Sequence, residues 1–186
     1  CMLAVSDKDI AQTNNKLRIF FMSICFFTKI HNFTTNNIDE MVEIKKFSFN
    51  NKKLRDEAFK IRHQVFVIGQ NCPQDLEYEF EEICTHFLLY KNKKPVATAR
   101  YRKTNEGYKL ERFAVLKEER KMGYGHMILN EMLEDLKNYK GKIYMHAQVD
   151  VIQFYEKAGF IKAGEIFEEA NIMHYKMYLK KKLNFF

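Results

Sequence analysis

What the chain lacks narrows its chemistry first. It has four cysteines, Cys1, Cys25, Cys72 and Cys84, yet no C-x-x-C pair and no Cys/His spacing suited to zinc. Its six histidines are scattered and form no H-E-x-x-H. No metal site is therefore expected, and the cysteines are expected as free thiols in a reducing cytoplasm. The nucleotide-triphosphate loop G-x-x-x-x-G-K-[ST] is missing, and the dinucleotide pattern G-x-G-x-x-G fails at Ile128, where a third glycine is required. The apolar run Ile19 to Phe27 is too short to span a bilayer, which takes about 20 residues. It follows Lys16 and Arg18 as a signal-peptide core does, but Thr28-Lys29-Ile30-His31 offers no small-residue cleavage site. A helix lying on a membrane is the sharper alternative for this run. There is no internal repeat, no low-complexity linker and no recognised nucleic-acid motif.

What is present fits one folded domain with an extension. The 186 residues suit a single domain of ordinary size, and an apolar content of 46% supports a real core. A formal charge of +7 suits an anionic ligand. The cations stand in small groups among 24 acids, as on a solvated surface, so no specific nucleic-acid partner is expected. Residues 1–40 differ in character from the rest. They open on Cys1 rather than Met and are rich in Asn, Thr and Phe. They read as an N-terminal extension, with a functional domain over 41–182.

Hydrophobic periodicity sets the order of elements. Met41 to Phe49 alternates as a strand, and Lys53 to Val67 carries Leu54, Ala58, Ile61, Val65 and Phe66 at helical spacing. Gly69 to Glu82 reads as an acidic loop. Strands follow at Ile83–Tyr90, Val96–Lys103 and Tyr108–Val115, the last two joined by the turn Asn105-Glu106-Gly107. A helix from His126 to Tyr139, stopped by Gly141, presents Ile128, Leu129, Met132, Leu133 and Leu136 on one face. Strand Lys142–Val149, short helix Val151–Ala158 and strands Phe160–Phe167 and Met173–Lys180 complete the chain. This mixed α/β order is not a regular alternation, so a doubly wound fold is not expected.

One stretch organises the rest: Arg120-Lys121-Met122-Gly123-Tyr124-Gly125-His126, lying between a strand and a long helix. Helix N-termini present unpaired N–H groups and the positive end of the helix dipole, a ready site for phosphate. Gly123 and Gly125 let the backbone bend and approach a ligand, and Arg120 and Lys121 add charge. By itself this loop also reads as an ordinary strand-to-helix turn.

The pattern R-x-x-G-x-G at Arg120, Gly123 and Gly125, followed downstream by Phe154-Tyr155-Glu156-Lys157-Ala158-Gly159-Phe160, resembles the GNAT N-acetyltransferase superfamily over about Met41 to Leu179. Ile61 to Val67, Gln70, Pro73, His146-Ala147-Gln148 and Glu168 to His174 are further similar to the small bacterial acetyltransferases of the YjcF and ElaA type. The resemblance implies the acyl-CoA N-acyltransferase fold: a central mixed, mostly antiparallel sheet flanked by helices, splayed between strands 4 and 5 to admit the cofactor. It implies acetyl-CoA as acyl donor and direct transfer to a small-molecule or peptide amine in a ternary complex. The pyrophosphate is expected on the amides of Met122 to His126, and the pantetheine arm along Phe113, Ala114 and Val115, with Val115 N–H polarising the thioester. Phe154 and Lys157 flank the cofactor in the motif.

By the same resemblance Tyr155 is the general acid, and its other reading is a packed core aromatic. Glu111 is a candidate base, expected by strand alternation to share a face with Phe113 and Val115, with a salt bridge as its other reading. His174, Glu169 and His146 are rival bases. Departures fall on the acceptor side: Gln148 and Val151 replace the family's Asn and Ala, Gly69 stands where the subgroup has Glu, and Asn171 and Met173 replace Gly and Pro. They keep open a non-catalytic CoA-binding or interaction module on the same fold. A homodimer is also left open.

Overall fold

The computed structural model describes residues 40–180. The reading of residues 1–40 as an extension, and that of Ile19 to Phe27, lie outside this range, apart from Glu40. One seven-stranded sheet runs through the described residues. In chain order the strands are β1 (Val42–Ser48), β2 (Cys84–Lys91), β3 (Lys94–Lys103), β4 (Gly107–Val115), β5 (Lys142–Gln148), β6 (Phe160–Glu169) and β7 (Ile172–Leu179), and their spatial order is β1-β2-β3-β4-β5-β7-β6. The helices are α1 (Lys52–Arg62), α2 (Gln74–Glu77), α3 (Tyr124–Asp135) and α4 (Ile152–Lys157). Among the described residues no helix is long and apolar enough to cross a membrane.

Helix α1 starts where the Asn51 side chain accepts the Leu54 N–H at 3.2 Å, satisfying one of the donors left free at a helix start. It carries Lys60 and Arg62 in its last turn, beside the negative end of its dipole, and runs on through a wider turn at His63–Ile68. Its apolar stripe, Ala58, Ile61 and Val65, covers Leu88, Tyr90 and Ala114 on one face of the sheet. Helix α3 covers the other face, where Ile128, Leu129 and Met132 pack with Phe87, Ala99, Leu110 and Met145. These three helix side chains are almost completely buried, each stabilising the fold by about 1.5–3 kcal/mol relative to exposure. Helix α3 ends at Asp135, short of the Tyr139 expected from periodicity, because the chain turns at Leu136. The turn lays Tyr139 edge-on against Tyr108, with Lys103 bonded to its hydroxyl.

The gap that positions the site follows from unequal pairing. Strands β4 and β5 run parallel and meet only at Gly107↔Lys142, Tyr108↔Ile143 and Lys109↔Tyr144. Beyond these rungs they part, while β5 stays paired to β7 as far as Gln148↔His174. The edges of β4 after Lys109 and of β5 after Tyr144 therefore face each other unpaired, as the splay expected between strands 4 and 5. Strand β4 also carries a bulge. Thr98 opposes Ala114 and Arg100 opposes Glu111, so two β4 residues, Arg112 and Phe113, stand against Ala99 alone. Arg112 takes up the extra length with a left-handed φ of 58°.

Candidate active site

The first wall of the gap is the start of α3. The chain leaves β4 through Leu116, whose N–H donates to Val96 O, and a short turn at Lys117–Glu119. It reaches the helix through two left-handed residues, Lys121 (φ 68°) and Gly123 (φ 86°). Gly123 is the N-cap and offers no side-chain cap, and the helical ladder begins only with Met127 N–H to Gly123 O. The N–H groups of Tyr124, Gly125 and His126 thus have no partner among the described residues and carry the positive end of the α3 dipole. The Tyr124 side chain is buried beneath them, with its hydroxyl donating to Glu40. The two glycines differ in what they permit. At Gly123 a Cβ meets open space, so the glycine serves its positive φ. At Gly125 a Cβ stands 3.3 Å from the Phe154 ring and 3.9 Å from Val115, so there the glycine serves close packing.

Val115 forms the adjoining edge. Because Leu116 N–H points to β3, Val115 one residue earlier directs its N–H and C=O into the gap. Its carbonyl accepts from Arg120 Nε at 3.2 Å. Arg120 therefore folds onto the strand end, while Lys121 and Met122 are exposed beside the free amides.

Tyr155, on α4, crosses the gap from the β5 side. Its ring meets Phe113 at 5.7 Å, Phe154 at 4.8 Å and Phe160 at 6.1 Å between centroids, all edge-on. It is only 7% exposed, and its hydroxyl bonds to no described residue. Burial pushes the phenol well above its ordinary pKa, so it stays protonated through the neutral range. Phe154 bridges to His126, with centroids 4.1 Å apart. Thus Phe113, Val115, Gly125, His126, Phe154 and Tyr155 come together, and Ala114 lies on the opposite face of β4 in the α1 cluster. Lys157 is exposed on the last turn of α4.

The candidate bases occupy the other face of the sheet. Strand alternation places Glu111 with Phe113 and Val115, and the structure corrects this. The extra residue at the bulge reverses the parity, so Glu111 shares the face of Ala114 and α1. There it is bound by Arg100 Nη2 at 2.9 Å and Arg102 Nε at 2.9 Å, with Lys109 at 3.5 Å. Burial raises its pKa, but Arg100, Lys109 and Arg102 outweigh burial and hold it below the usual carboxylate range. A carboxylate so bound is a poor proton acceptor.

His174, His146 and Glu169 cluster on the same face across β5, β7 and β6. His174 Nδ1 lies 2.7 Å from Ile172 O; a carbonyl only accepts, so Nδ1 holds the proton and Nε2 is left with its lone pair. Burial lowers the His174 pKa and keeps the ring neutral. His146 Nδ1 contacts Glu169 Oε2 at 2.7 Å, and this bond, against burial, holds the Glu169 carboxyl down to about 2. The Phe167 ring lies between the two histidines, 4.8 Å from His146 and 5.9 Å from His174.

Sequence reading named Gln70 only as part of the likeness, without a role, and missed a buried set of arginines. Gln70 and Gln148 exchange amide hydrogen bonds of 3.2 and 3.1 Å, which ties the chain after α1 to the end of β5. Arg62 and Arg100 are almost fully buried and bind Glu77, Glu81 and Glu111. The available signal was an arginine within the apolar strand Val96 to Tyr101, preceded in the chain by a stretch dense in acids, Asp75 to Glu82.

Comparison with known proteins agrees with this geometry. Residues 50–181 match the family described as the acetyltransferase (GNAT) domain. The chain belongs to the GNAT acetyltransferase family. It is 35% identical over 132 residues to the N-acetyltransferase YjcF of Bacillus subtilis, covering 69% of this chain and 93% of YjcF. ElaA of Escherichia coli is 31% identical over 125 residues, covering 63% of this chain and 82% of ElaA. The crystal structure of ElaA superposes with a TM-score of 0.68 at 26% identity, over 75% of this chain and 100% of that one. An acyl-CoA N-acyltransferase of Pseudomonas aeruginosa, at 19% identity, shares the fold with a TM-score of 0.69, over 75% of this chain and 100% of that one. This GNAT protein is an acyltransferase, and its splayed sheet is that of the family.

Proposed function

We propose that this GNAT enzyme transfers an acetyl group from acetyl-CoA directly to a primary amine held with it in a ternary complex. The observation that carries the reading is the convergence of three free amides at the start of α3, the outward-turned N–H of Val115 and the Tyr155 ring packed on Phe113 around one gap. The amides of Tyr124, Gly125 and His126 suit a diphosphate, and the open space at Gly123 leaves their approach clear. The unpaired edge from Phe113 to Val115 suits an extended amide-bearing arm.

Acetyl-CoA supplies an activated thioester, and the chain supplies position, charge stabilisation and proton management. An amine with a pKa of about 10 arrives as ammonium at neutral pH, so one proton has to leave before attack. His174 takes it on Nε2, because burial keeps the ring neutral and Nδ1 is committed to Ile172 O. Glu111 is the weaker base, bound as it is by Arg100 and Arg102. Val115 N–H points where a carbonyl oxygen gains charge, a contribution of about 3 kcal/mol to the barrier for one such donor. As the new C–N bond forms and the C–S bond breaks, Tyr155, protonated at neutral pH, gives its proton to the departing thiolate, and its phenolate takes back the second proton that the nitrogen sheds on becoming an amide. Free Cys72 and Cys84 fit a reducing cytoplasm, and Cys84 is buried with its pKa raised to about 11, unsuited to a nucleophile.

The test is thiol release from acetyl-CoA against a panel of amino acids, polyamines, amino sugars and lysine peptides. Saturable release that requires an amine supports transfer. CoA binding without release across the panel returns the chain to a binding module, and failure to bind CoA removes the reading altogether.

A further inference from the structure

The ion pairs on the α1 face form a closed circuit with both ends on the β4 bulge. From Arg112 it passes to Glu77 (2.9 Å), to Arg62 on α1 (2.5 Å), to Glu81 (2.7 Å), to Arg100 on β3, and to Glu111 (2.9 Å). Glu111 and Arg112 are consecutive residues, so the circuit closes through the backbone of β4 at the point where the extra residue is accommodated. Arg112 also holds the main chain of α2, donating from Nη2 to Leu76 O at 2.6 Å and from Nε to Glu77 O at 3.2 Å.

The segment Gln70 to Glu77 is thereby fixed to both lips of the gap. Gln70 bonds Gln148 on the β5 side, and Leu76 and Glu77 are held by Arg112 on the β4 side. It forms a strap over the face opposite Tyr155. Burying so many charges is a poor way to gain stability, because desolvation offsets most of the Coulomb attraction and apolar residues of the same volume often do as well. What such a circuit supplies is fixed geometry. The geometry fixed here is a non-glycine residue in a strained left-handed conformation, three residues before the gap-facing amide of Val115.

We infer that Arg112 is a positioning residue: it locks the bulge that aims Val115 N–H into the gap and couples that aim to the strap beside the acceptor. The inference rests on the acyl-transfer reading for its consequence, though its structural half stands apart from it. Arg112→Gly separates side chain from backbone, since glycine accepts a φ of 58° without strain while the three contacts to α2 are lost. Arg112→Lys keeps the charge but not the forked donor geometry.

Two readouts test the inference. The first is amide hydrogen exchange of the whole chain. In Arg112→Gly, peptides covering 70–77 and 111–116 are expected to exchange about tenfold faster, with 124–135 unchanged. The second is kinetics with whichever amine supports thiol release. There kcat is expected to fall about tenfold or more, with CoA affinity by calorimetry unchanged, because a displacement near 1 Å is costly to catalysis while α3 is untouched. Arg112→Lys is expected to fall between the wild type and Arg112→Gly in both. Should Arg112→Gly lose its cooperative melt, Arg112→Lys is read by the same two measurements. Wild-type exchange at both segments overturns the inference, as does unchanged kcat in an active enzyme. If the wild type releases no thiol with any amine, the acyl-transfer reading fails while exchange still decides whether Arg112 locks the strap.

Discussion

Tyr155 stands edge-on to Phe113 with ring centroids 5.7 Å apart, so a side chain from the β5 side of the gap rests on the β4 edge it faces. The same ring also packs on Phe154 and Phe160. Packing and chemistry are therefore separable at this position. Tyr155→Phe keeps the aromatic contacts and removes only the hydroxyl. Its melting temperature is expected to stay near the wild type while kcat falls about 10²-fold, the lower range for loss of a general acid. Tyr155→Ala is expected to lose about 3–5 kcal/mol of stability in denaturant unfolding as well. Wild-type turnover by Tyr155→Phe would show the tyrosine to be a core aromatic alone.

At the start of α3 the two glycines are expected to fail in different ways. Gly123→Ala asks an L residue to hold a φ of 86°, costing about 1–2 kcal/mol, with little effect on CoA because its Cβ meets open space. Gly123→Glu adds an anion beside the free amides and is expected to weaken CoA binding at least about tenfold by calorimetry, more so at low salt. Equal CoA affinity in the Ala and Glu variants would place the diphosphate elsewhere.

With His174 as the proposed base, rate is expected to depend on pH. Burial lowers its pKa from the ordinary histidine value, about 6.5, so the neutral base persists to lower pH than in solution. The acid limb of kcat should therefore lie below the ordinary imidazole range, with rate lost as pH falls through the folded value. His174→Gln is expected to flatten that limb and lower kcat about 10²-fold. The stability slope has the matching sign: burying a neutral ring disfavours the fold at acid pH, fully below the folded pKa, and the penalty fades as pH rises to the unfolded one. His86 shifts in the same direction, also by burial, so the rate profile is the reading specific to His174. An unchanged acid limb in His174→Gln moves the base to another group.

Glu111 is expected to matter first for folding. Removing one partner of a buried pair leaves the other uncompensated, so Glu111→Leu should lose about 3–5 kcal/mol in urea unfolding. Its folded pKa is depressed by Arg100, Lys109 and Arg102 against burial. The corresponding stabilisation is present above the unfolded value, about 4.3, and lost as pH falls through the folded one. A Glu111→Leu protein as stable as the wild type, yet inactive, would restore Glu111 as a catalytic base.

The sequence by itself determined the order of the strands and long helices and the glycine turn into α3, but not helix α2, which falls in the stretch read as an acidic loop. Both depend on short-range regularities: the alternation of Met41 to Phe49, the stripe of Ile128, Leu129 and Met132, and the pair Gly123 and Gly125 before a helix. Only the tertiary structure decided which face Glu111 occupies, because one extra residue at Arg112 reverses strand parity and no residue type marks the place. It alone brought Arg62, Glu77, Glu81, Arg100 and Glu111 into one circuit, since partners from 11 to 19 residues apart in helix, loop and strand meet only after the layers pack. It also gave Gln70 its role, by setting that residue against Gln148, 78 positions away, across a gap that no local pattern reveals.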